Sequence, residues 1–222
     1  MVARGKESGR TPDPLLLALR MGPFFASCAF YFFLWLPSEE PRWTSALVKC
    51  LPVLCLAAFA RASASPGPGR RFTPPGLLCS ALGDFFLIWP SRFLFGMAAF
   101  SAAHLCYLGA LGWHPLRPHL LGPVAAAFGA YVGLLQPQLP PGLGLPVLLY
   151  AALLGLVLWR ALARGGPAAL GGLFFSVSDA VLAWDTFVRP LPPGRLIIMV
   201  TYYAAQALLA LATVEPGAPK AD

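Results

Sequence analysis

The chain has 222 residues, of which 58% are apolar and only 11% carry a charge, and its mean hydropathy is +0.69. A soluble domain carries about 25% charged residues, so this composition excludes a protein whose whole surface faces water. We therefore predict an all-α integral membrane protein. We interpret the formal net charge of +7 as mostly a signal of membrane topology and predict no nucleic-acid partner.

Eight apolar stretches approach the length of about 17 to 25 residues that a helix needs to cross a bilayer. They lie near residues 20–37, 43–60, 75–90, 93–112, 119–136, 143–162, 168–187 and 195–213. This pattern predicts an N-terminal tail over 1–19, an eight-span transmembrane domain over 20–213 and a C-terminal tail over 214–222. The sequence "ASASPGPGRRFTPPG" (62–76) predicts the longest and most flexible loop.

The distribution of Lys and Arg over the predicted loops indicates the orientation, because loops rich in these residues stay in the cytoplasm. The N-terminal tail, the even-numbered loops and the C-terminal tail carry eleven: Arg4, Lys6, Arg10, Arg20, Arg61, Arg70, Arg71, Arg117, Arg160, Arg164 and Lys220. The opposite side carries four: Arg42, Arg92, Arg189 and Arg195. We therefore predict that both termini are cytoplasmic.

The two halves of the chain share short matches in the same order. In chain order these are LPVL at 51–54 and 145–148, Asp84 and Asp179, Trp89 and Trp184, and AAH at 102–104 with AAQ at 204–206. The matches predict two related repeats, over about 20–112 and 119–213. Because each repeat has four spans, the two would run parallel, related by an axis along the membrane normal.

The repeat predicts where the polar residues inside the spans meet. Asp84 and Asp179 would share one depth in spans 3 and 7, and His104 and Gln206 would share a similar depth in spans 4 and 8. All four lie well inside their predicted spans, so we expect them near the bilayer middle. One polar chamber is then a better explanation than separate buried polar defects.

Ionisable residues at the centre of a span indicate function, because each costs about 2.5–3.5 kcal/mol on insertion scales. Lys49 could pair with one aspartate and hold helices together, but this structural alternative leaves the second aspartate unexplained. Four further polar side chains can reach the chamber from spans 4 and 8. These are Tyr107, Tyr202, Tyr203 and Gln206.

Metal binding and a second acidic site are weaker interpretations of the sequence. His104, His114 and His119 have no diagnostic ligand spacing, and we predict neither a metal nor another cofactor. We interpret Asp185 and Arg189 as residues at the end of span 7. No GxSxG elbow accompanies the serines within the spans, which argues against a serine hydrolase.

The polar residues of the predicted chamber occur in five motifs: "SALVKCLPVLCL", "CSALGDFFLIWP", "FGMAAFSAAHLCYL", "FSVSDAVLAWDTF" and "IIMVTYYAAQ". On these motifs the chain resembles the lysoplasmalogenase (YhhN-like) family of multi-span proteins, and most closely its vertebrate transmembrane members. In this resemblance Asp84 and Asp179 match the two intramembrane acids of the family. Lys49, His104, Tyr203 and Gln206 match its other polar positions. Asp185 is a less certain family position and stays outside the catalytic set.

The resemblance implies an ether hydrolase in the endoplasmic reticulum membrane. The implied reaction cleaves the vinyl ether bond of lysoplasmalogens, releasing a fatty aldehyde and glycerophosphocholine or glycerophosphoethanolamine. The partners would be a lysophospholipid with one alkenyl chain and the surrounding membrane lipids, and a homodimer is left open.

A vinyl ether opens in acid, through protonation of the alkenyl carbon remote from oxygen. Burial in lipid favours the neutral carboxylic acid and a neighbouring cation favours the carboxylate, so Lys49 or His104 could tune the acidity of two aspartates in opposite directions. The sequence leaves open which aspartate takes which role. With parallel repeats, we expect the alkenyl chain among the spans and the headgroup at the cytoplasmic-side loops.

Three alternatives remain at this stage. Parallel repeats with charges near the membrane middle also occur in transporters of small solutes or lipids, and Pro52 and Pro146 could act as hinges. A metal-dependent lipid hydrolase is the second alternative. The third is a structural or receptor-like membrane protein, in which both aspartates would be dispensable.

Overall fold

A computed structural model of the protein describes residues 14–34 and 42–214. Within these ranges the chain forms eight α-helices, three single-turn 3-10 helices and no strand. The α-helices are α1 (Pro14–Leu34), α2 (Trp43–Ser63), α3 (Pro68–Phe86), α4 (Phe93–Leu111), α5 (Leu121–Leu135), α6 (Gly144–Arg164), α7 (Gly166–Phe187) and α8 (Gly194–Leu211). The predicted all-α class is confirmed, and most of the two predicted tails lies outside the described residues.

Seven of the eight described helices are long and apolar enough to cross a membrane. The exception is α3, because Arg70, Arg71 and Asp84 all lie within its 19 residues. Helices suit such a chain because each backbone N–H and C=O group is satisfied within its own segment, where lipid offers no partner. The protein is a multi-pass membrane protein.

The predicted loop over 62–76 is wrong. Helix α2 continues into this stretch and α3 begins at Pro68, so the connection is only four residues, 64–67. Proline is tolerated in the first turn of a helix, where its missing N–H would have no partner anyway, and Gly67 before it has a φ of 142°. Helix α1 likewise begins at Pro14, within the stretch predicted to be a tail.

The packing of the helices follows the same scheme in both halves. The two most extensive contacts are α3 with α4 and α7 with α8, followed by neighbours α2 with α3 and α6 with α7. The main contacts between the halves also correspond, since α8 packs against α2 and α4 packs against α6. This is the packing that parallel repeats predict, and it supports the repeat as our interpretation of the fold.

The short connections make consecutive helices antiparallel, so the bundle has two distinct ends. We call the end with connections 87–92, 136–143 and 188–193 the chamber end. The opposite end, with connections 64–67 and 112–120, is the arginine end. Residues of five helices, α2, α3, α4, α7 and α8, meet at the chamber end around one cavity, which positions the candidate site.

Two arginines of α6 hold the arginine end together. Arg160 is fully buried and donates to the Gly112 carbonyl from Nε at 2.9 Å and to the Pro115 carbonyl from Nη1 at 2.7 Å. Arg164 donates to the carbonyls of Ala110 at 3.1 Å and Ala212 at 3.2 Å. Arg164 thus satisfies carbonyls at the C-terminal ends of both α4 and α8, and Arg160 does so at the end of α4 and in the connection that follows it. A positive charge is favourable at such helix ends. Arg160 therefore acts within the bundle, although the charge count treats it as a loop residue.

Candidate active site

A cavity of about 370 Å³ lies at the chamber end, between α2, α3, α4, α7 and α8. We call this cavity the chamber. Its polar lining includes Lys49, Asp84, Asp179 and Tyr202, and most of the remaining wall is apolar. The structure thus brings together both predicted acids, the predicted cation and one of the predicted tyrosines.

Asp84 lies in the last turn of α3 and is only 2% exposed. Its Oδ1 is 3.6 Å from Nζ of Lys49, and the Tyr202 hydroxyl donates to Oδ2 at 2.6 Å. The hydroxyl of Tyr203 donates to the backbone carbonyl of Lys49 at 2.9 Å, which ties α8 to the turn that carries the ammonium group. A cation and a donor on one buried carboxylate favour its ionised form.

Asp179 lies in the interior of α7 and has a different set of partners. The hydroxyl of Tyr150 donates to its Oδ2 at 2.5 Å. Among the described residues, no Lys or Arg forms an ion pair with Asp179. The two carboxyl groups are close enough for their charges to interact, and a second negative charge in the chamber would be unfavourable. This setting favours a neutral carboxylic acid at Asp179.

Tyr150 is the functional-site residue that the sequence analysis missed. It lies in α6 within the aliphatic stretch "VLLYAALLGL", two residues after the second LPVL match ends. The proposed repeat aligns Tyr150 with Leu56 of α2. The second half therefore has a hydroxyl group at a position where the first half has an aliphatic side chain. A difference of this kind between aligned repeats could have identified it.

Behind the chamber, a second group of polar side chains is sealed from it. The Tyr107 hydroxyl donates to Oε1 of Gln206 at 2.6 Å and lies 3.0 Å from Oγ of Ser80. All three residues are buried. The Gln206 amide also approaches the Tyr202 hydroxyl without a hydrogen bond of ordinary geometry. These residues support the Tyr202–Asp84 contact from behind and do not line the chamber.

His104 is fully buried among aromatic rings. Its ring centre is 4.8 Å from that of Phe175 and 5.3 Å from that of Tyr150. Neither ring nitrogen has a hydrogen bond of ordinary geometry with a described residue, although the Phe100 carbonyl is nearby. His104 packs against the ring of Tyr150, whose hydroxyl donates to Asp179.

The prediction that Asp84 lies near the middle of its span is wrong. Helix α3 ends at Phe86, not at residue 90 as predicted, so Asp84 lies in the last turn of its helix, whereas Asp179 lies in the interior of α7. The common depth of the two aspartates stays a prediction. His104 and Gln206 lie in the halves of α4 and α8 nearer the arginine end and are absent from the chamber lining.

The chamber also lies at the end opposite to the one expected for the headgroup. Its outer wall includes Pro90, Leu143 and Thr186, which belong to or adjoin the loops that follow odd-numbered helices. The charge count predicts that these loops are not cytoplasmic. The charge-based orientation and the expectation that the headgroup reaches the cytoplasmic-side loops therefore conflict, because the polar groups gather near the other ends of α3 and α7, and both stay predictions.

Asp185 stabilises the connection between α7 and α8. Its Oδ1 accepts a hydrogen bond from the backbone N–H of Leu191 at 2.7 Å, which anchors the connection before α8. Asp185 is absent from the chamber lining. Its position agrees with the prediction of a residue at the end of the span.

The three histidines do not gather around one point. His114 and His119 lie in the connection at the arginine end, whereas His104 is buried in α4. Across residues 14–34 and 42–214, no group of three His, Cys, Asp or Glu side chains is placed to hold a metal ion.

The chain matches the YhhN family over residues 44–213, which include every residue of the chamber. It belongs to the YhhN family. It is 49% identical over 202 residues to Lysoplasmalogenase TMEM86B of Homo sapiens, covering 91% of this chain and 89% of that protein. It is 40% identical to Lysoplasmalogenase TMEM86A of Homo sapiens over 219 residues, covering 90% of each chain.

The YhhN likeness extends to bacteria. The Lysoplasmalogenase of Mycobacterium tuberculosis is 34% identical over 169 residues, covering 69% of this chain and 64% of that protein. No solved structure matches the chain.

Proposed function

We propose that this YhhN protein is a lysoplasmalogenase, an ether hydrolase that cleaves the vinyl ether bond of alkenylglycerophosphocholine and alkenylglycerophosphoethanolamine. Its family and the names of its relatives support this reaction. The structural observation that carries the proposal is a single cavity with two aspartates in opposite settings, Asp84 beside a cation and Asp179 without one. Two carboxyl groups with different environments are the arrangement that acid–base cleavage through an oxocarbenium ion requires.

Asp179 is the general acid in this proposal, and Asp84 is the base. A neutral Asp179 can give its proton to the alkenyl carbon remote from the ether oxygen. The electron pair of the double bond forms the new C–H bond, and the ether oxygen shares the positive charge with the carbon next to it. The Asp84 carboxylate stabilises this cation and takes a proton from a water molecule as the water oxygen bonds to that carbon.

The resulting hemiacetal collapses in a second step, in which Asp84 acts as the acid and Asp179 as the base. The carbon–oxygen bond to glycerol breaks as Asp84 returns its proton to the glycerol oxygen. The hemiacetal hydroxyl gives its proton to Asp179, and the carbonyl of the aldehyde forms. Water is the only reactant consumed, and both aspartates return to their starting states.

The neighbouring side chains keep the two acids different. Lys49 holds Asp84 ionised, and Tyr202 orients it through the 2.6 Å hydrogen bond. Tyr150 positions Asp179 without adding a charge. Behind them, Tyr107 and Gln206 hold the α4–α8 contact that supports Tyr202. No step in this scheme needs a metal or another cofactor.

The decisive experiment is an assay of purified protein with lysoplasmenyl lipids. We expect stoichiometric release of fatty aldehyde and of glycerophosphocholine or glycerophosphoethanolamine, unaffected by chelators. The matched lipid with a saturated ether should bind without being cleaved, because it has no alkene carbon to protonate. Solute flux in liposomes without aldehyde release would instead favour the transporter alternative.

We further propose that the protein resides in the endoplasmic reticulum membrane with both termini in the cytoplasm, which places the chamber towards the lumen. The eleven-to-four distribution of Lys and Arg supports this orientation. A glycosylation acceptor inserted in the connection 136–143 should be modified, and one inserted in 112–120 should not. The reverse result would overturn the orientation and leave the chemistry untouched.

A further inference from the structure

A second cavity, of about 290 Å³, adjoins the chamber and lies between α4, α5, α6 and α7. We call it the apolar cavity, because its walls are almost entirely aliphatic and aromatic, as at Phe128, Leu154 and Leu173. Its few polar groups include Asp179 and Tyr150. The size approaches that of small-molecule sites, about 300–1,000 Å³.

The two cavities share a wall. Asp179 lines both, together with Leu87, Phe93, Phe100, Leu182 and Phe187. The proposed proton donor therefore stands at the junction between an apolar space and a chamber that holds Lys49. A molecule that occupied both cavities would have its apolar part on one side of Asp179 and its polar part on the other.

The apolar cavity reaches the outer surface of the bundle between α5 and α7. Leu173 and Val177 of α7 are 41% and 45% exposed and also line it, as does the exposed Ala127 of α5. Helix α5 packs mainly against α6 and touches α7 only lightly. Beside Asp179, the Tyr131 hydroxyl of α5 donates to the Ala180 carbonyl of α7 at 2.5 Å. A lipid chain could enter through this slot without crossing water.

The corresponding place in the first half is filled. There the ring of Tyr31 in α1 packs edge-on against Tyr203 at 5.4 Å, and Phe32 lies 6.1 Å from the same ring. The sequences of the helices explain the difference: α1 reads "PFFASCAFYFF", whereas α5 reads "PVAAAFGAYVG". Large aromatic side chains occupy the space beside α1, and small ones leave it open beside α5.

We infer that the apolar cavity binds the single hydrocarbon chain of the substrate, which enters from the bilayer between α5 and α7. The vinyl ether then lies at Asp179 and the phosphate headgroup lies in the chamber near Lys49. This inference rests on the proposed function. The related place in the first half is occupied by the aromatic rings of Tyr31 and Phe32 against Tyr203, which agrees with a substrate that has one chain.

Chain length tests the inference. Ala127→Phe fills the cavity wall, and Ala126→Phe is its matched control, since Ala126 is exposed on the same helix and does not line the cavity. For Ala127→Phe we expect kcat/KM to fall about tenfold or more with a long alkenyl chain and to change little with a short one. Ala126→Phe should behave like wild type with both. Equal losses for both chain lengths, or no loss for either, would overturn the inference.

A binding measurement separates this inference from the proposed function. The probe is a saturated-ether lysolipid with a photoreactive group at the end of its chain, applied to the full protein in vesicles of phosphatidylcholine. Labelling should fall on α5, α6 and α7 and decrease in Ala127→Phe. Labelling of α1 or α2 together with normal aldehyde release would refute the chain site and leave the function standing. Labelling of the cavity without cleavage of any vinyl ether would refute the function and leave the chain site.

Discussion

The two halves of this protein place an aspartate at the same position of a shared scheme and then surround it differently. The LPVL segments align Lys49 of α2 with Leu143, the residue just before α6 in the second half. Both residues line the chamber. The ammonium group is 3.6 Å from Asp84, and the side chain in the equivalent position near Asp179 is aliphatic.

The hydroxyl groups differ in the same way. Tyr202 of α8, which donates to Asp84, aligns with Phe100 of α4, which has no hydroxyl to offer Asp179. Tyr150 of α6 donates to Asp179 and aligns with the buried Leu56 of α2. A repeated backbone can therefore place two acids alike, while a few side chains give one the setting of a base and the other the setting of an acid.

The largest expected effect comes from removing either carboxyl group. Asp84→Asn and Asp179→Asn should each lower the rate of vinyl ether hydrolysis by about 10²–10⁴-fold, because an amide keeps the shape but neither donates an acidic proton nor carries charge. Steady-state aldehyde release from purified, folded variants measures this. Asp185→Asn is the matched control and should retain most activity, since an amide oxygen can still accept from Leu191. Near wild-type rates in both chamber variants would rule out the two-carboxylate mechanism.

The second effect concerns the cation that distinguishes the halves. In Lys49→Met, Asp84 loses the charge that favours its ionised form, so a higher pH is needed to keep it as a base. We expect the acid limb of the pH profile of kcat/KM to move to higher pH by about 1–3 units, the usual influence of a close opposite charge. Leu143→Met, at the aligned position, should leave the profile unchanged. An unshifted acid limb in Lys49→Met would show that the ion pair only holds helices together.

The hydroxyl groups should affect opposite limbs of the same profile. A donor stabilises the ionised carboxylate, so its loss moves titration of that acid to higher pH. Tyr202→Phe should therefore shift the acid limb, through Asp84, and Tyr150→Phe should shift the alkaline limb, through Asp179. Each should also lower kcat up to about tenfold, the equivalent of one hydrogen bond. If the two variants move the same limb, the assignment of acid and base is wrong.

The smallest effect on chemistry is expected at His104. His104→Ala should lower the free energy of unfolding by about 2–5 kcal/mol through the space left among Phe175 and Tyr150, while activity per folded molecule falls only a few fold. His104→Phe keeps the ring and should restore much of the stability. Thermal unfolding in detergent and the aldehyde assay provide both measurements. A loss of activity as complete as in the aspartate variants would place His104 in the reaction itself.

The sequence by itself determined the membrane class, the existence of eight helices and the pair of acids. Apolar length and low charge leave few folds besides a helical bundle, since lipid satisfies no backbone group. Asp84, Asp179 and Lys49 stand out against apolar surroundings, and residue type alone makes them costly to bury. The sequence also predicts the two repeats, because matching residues keep their order along the chain.

The tertiary structure alone decided which of these groups meet. Periodicity shows that a residue lies on one face of a helix, but not which helix faces it, so nothing in the chain order joins Lys49 to Asp84 or Tyr150 to Asp179. Periodicity also did not show that α3 begins at Pro68 and ends before residue 90. These helix bounds place the chamber at one end of the bundle, and His104 lies outside the chamber. The apolar cavity has the same origin, because an empty space depends on how α5 and α7 pack, and no single stretch of residues encodes it.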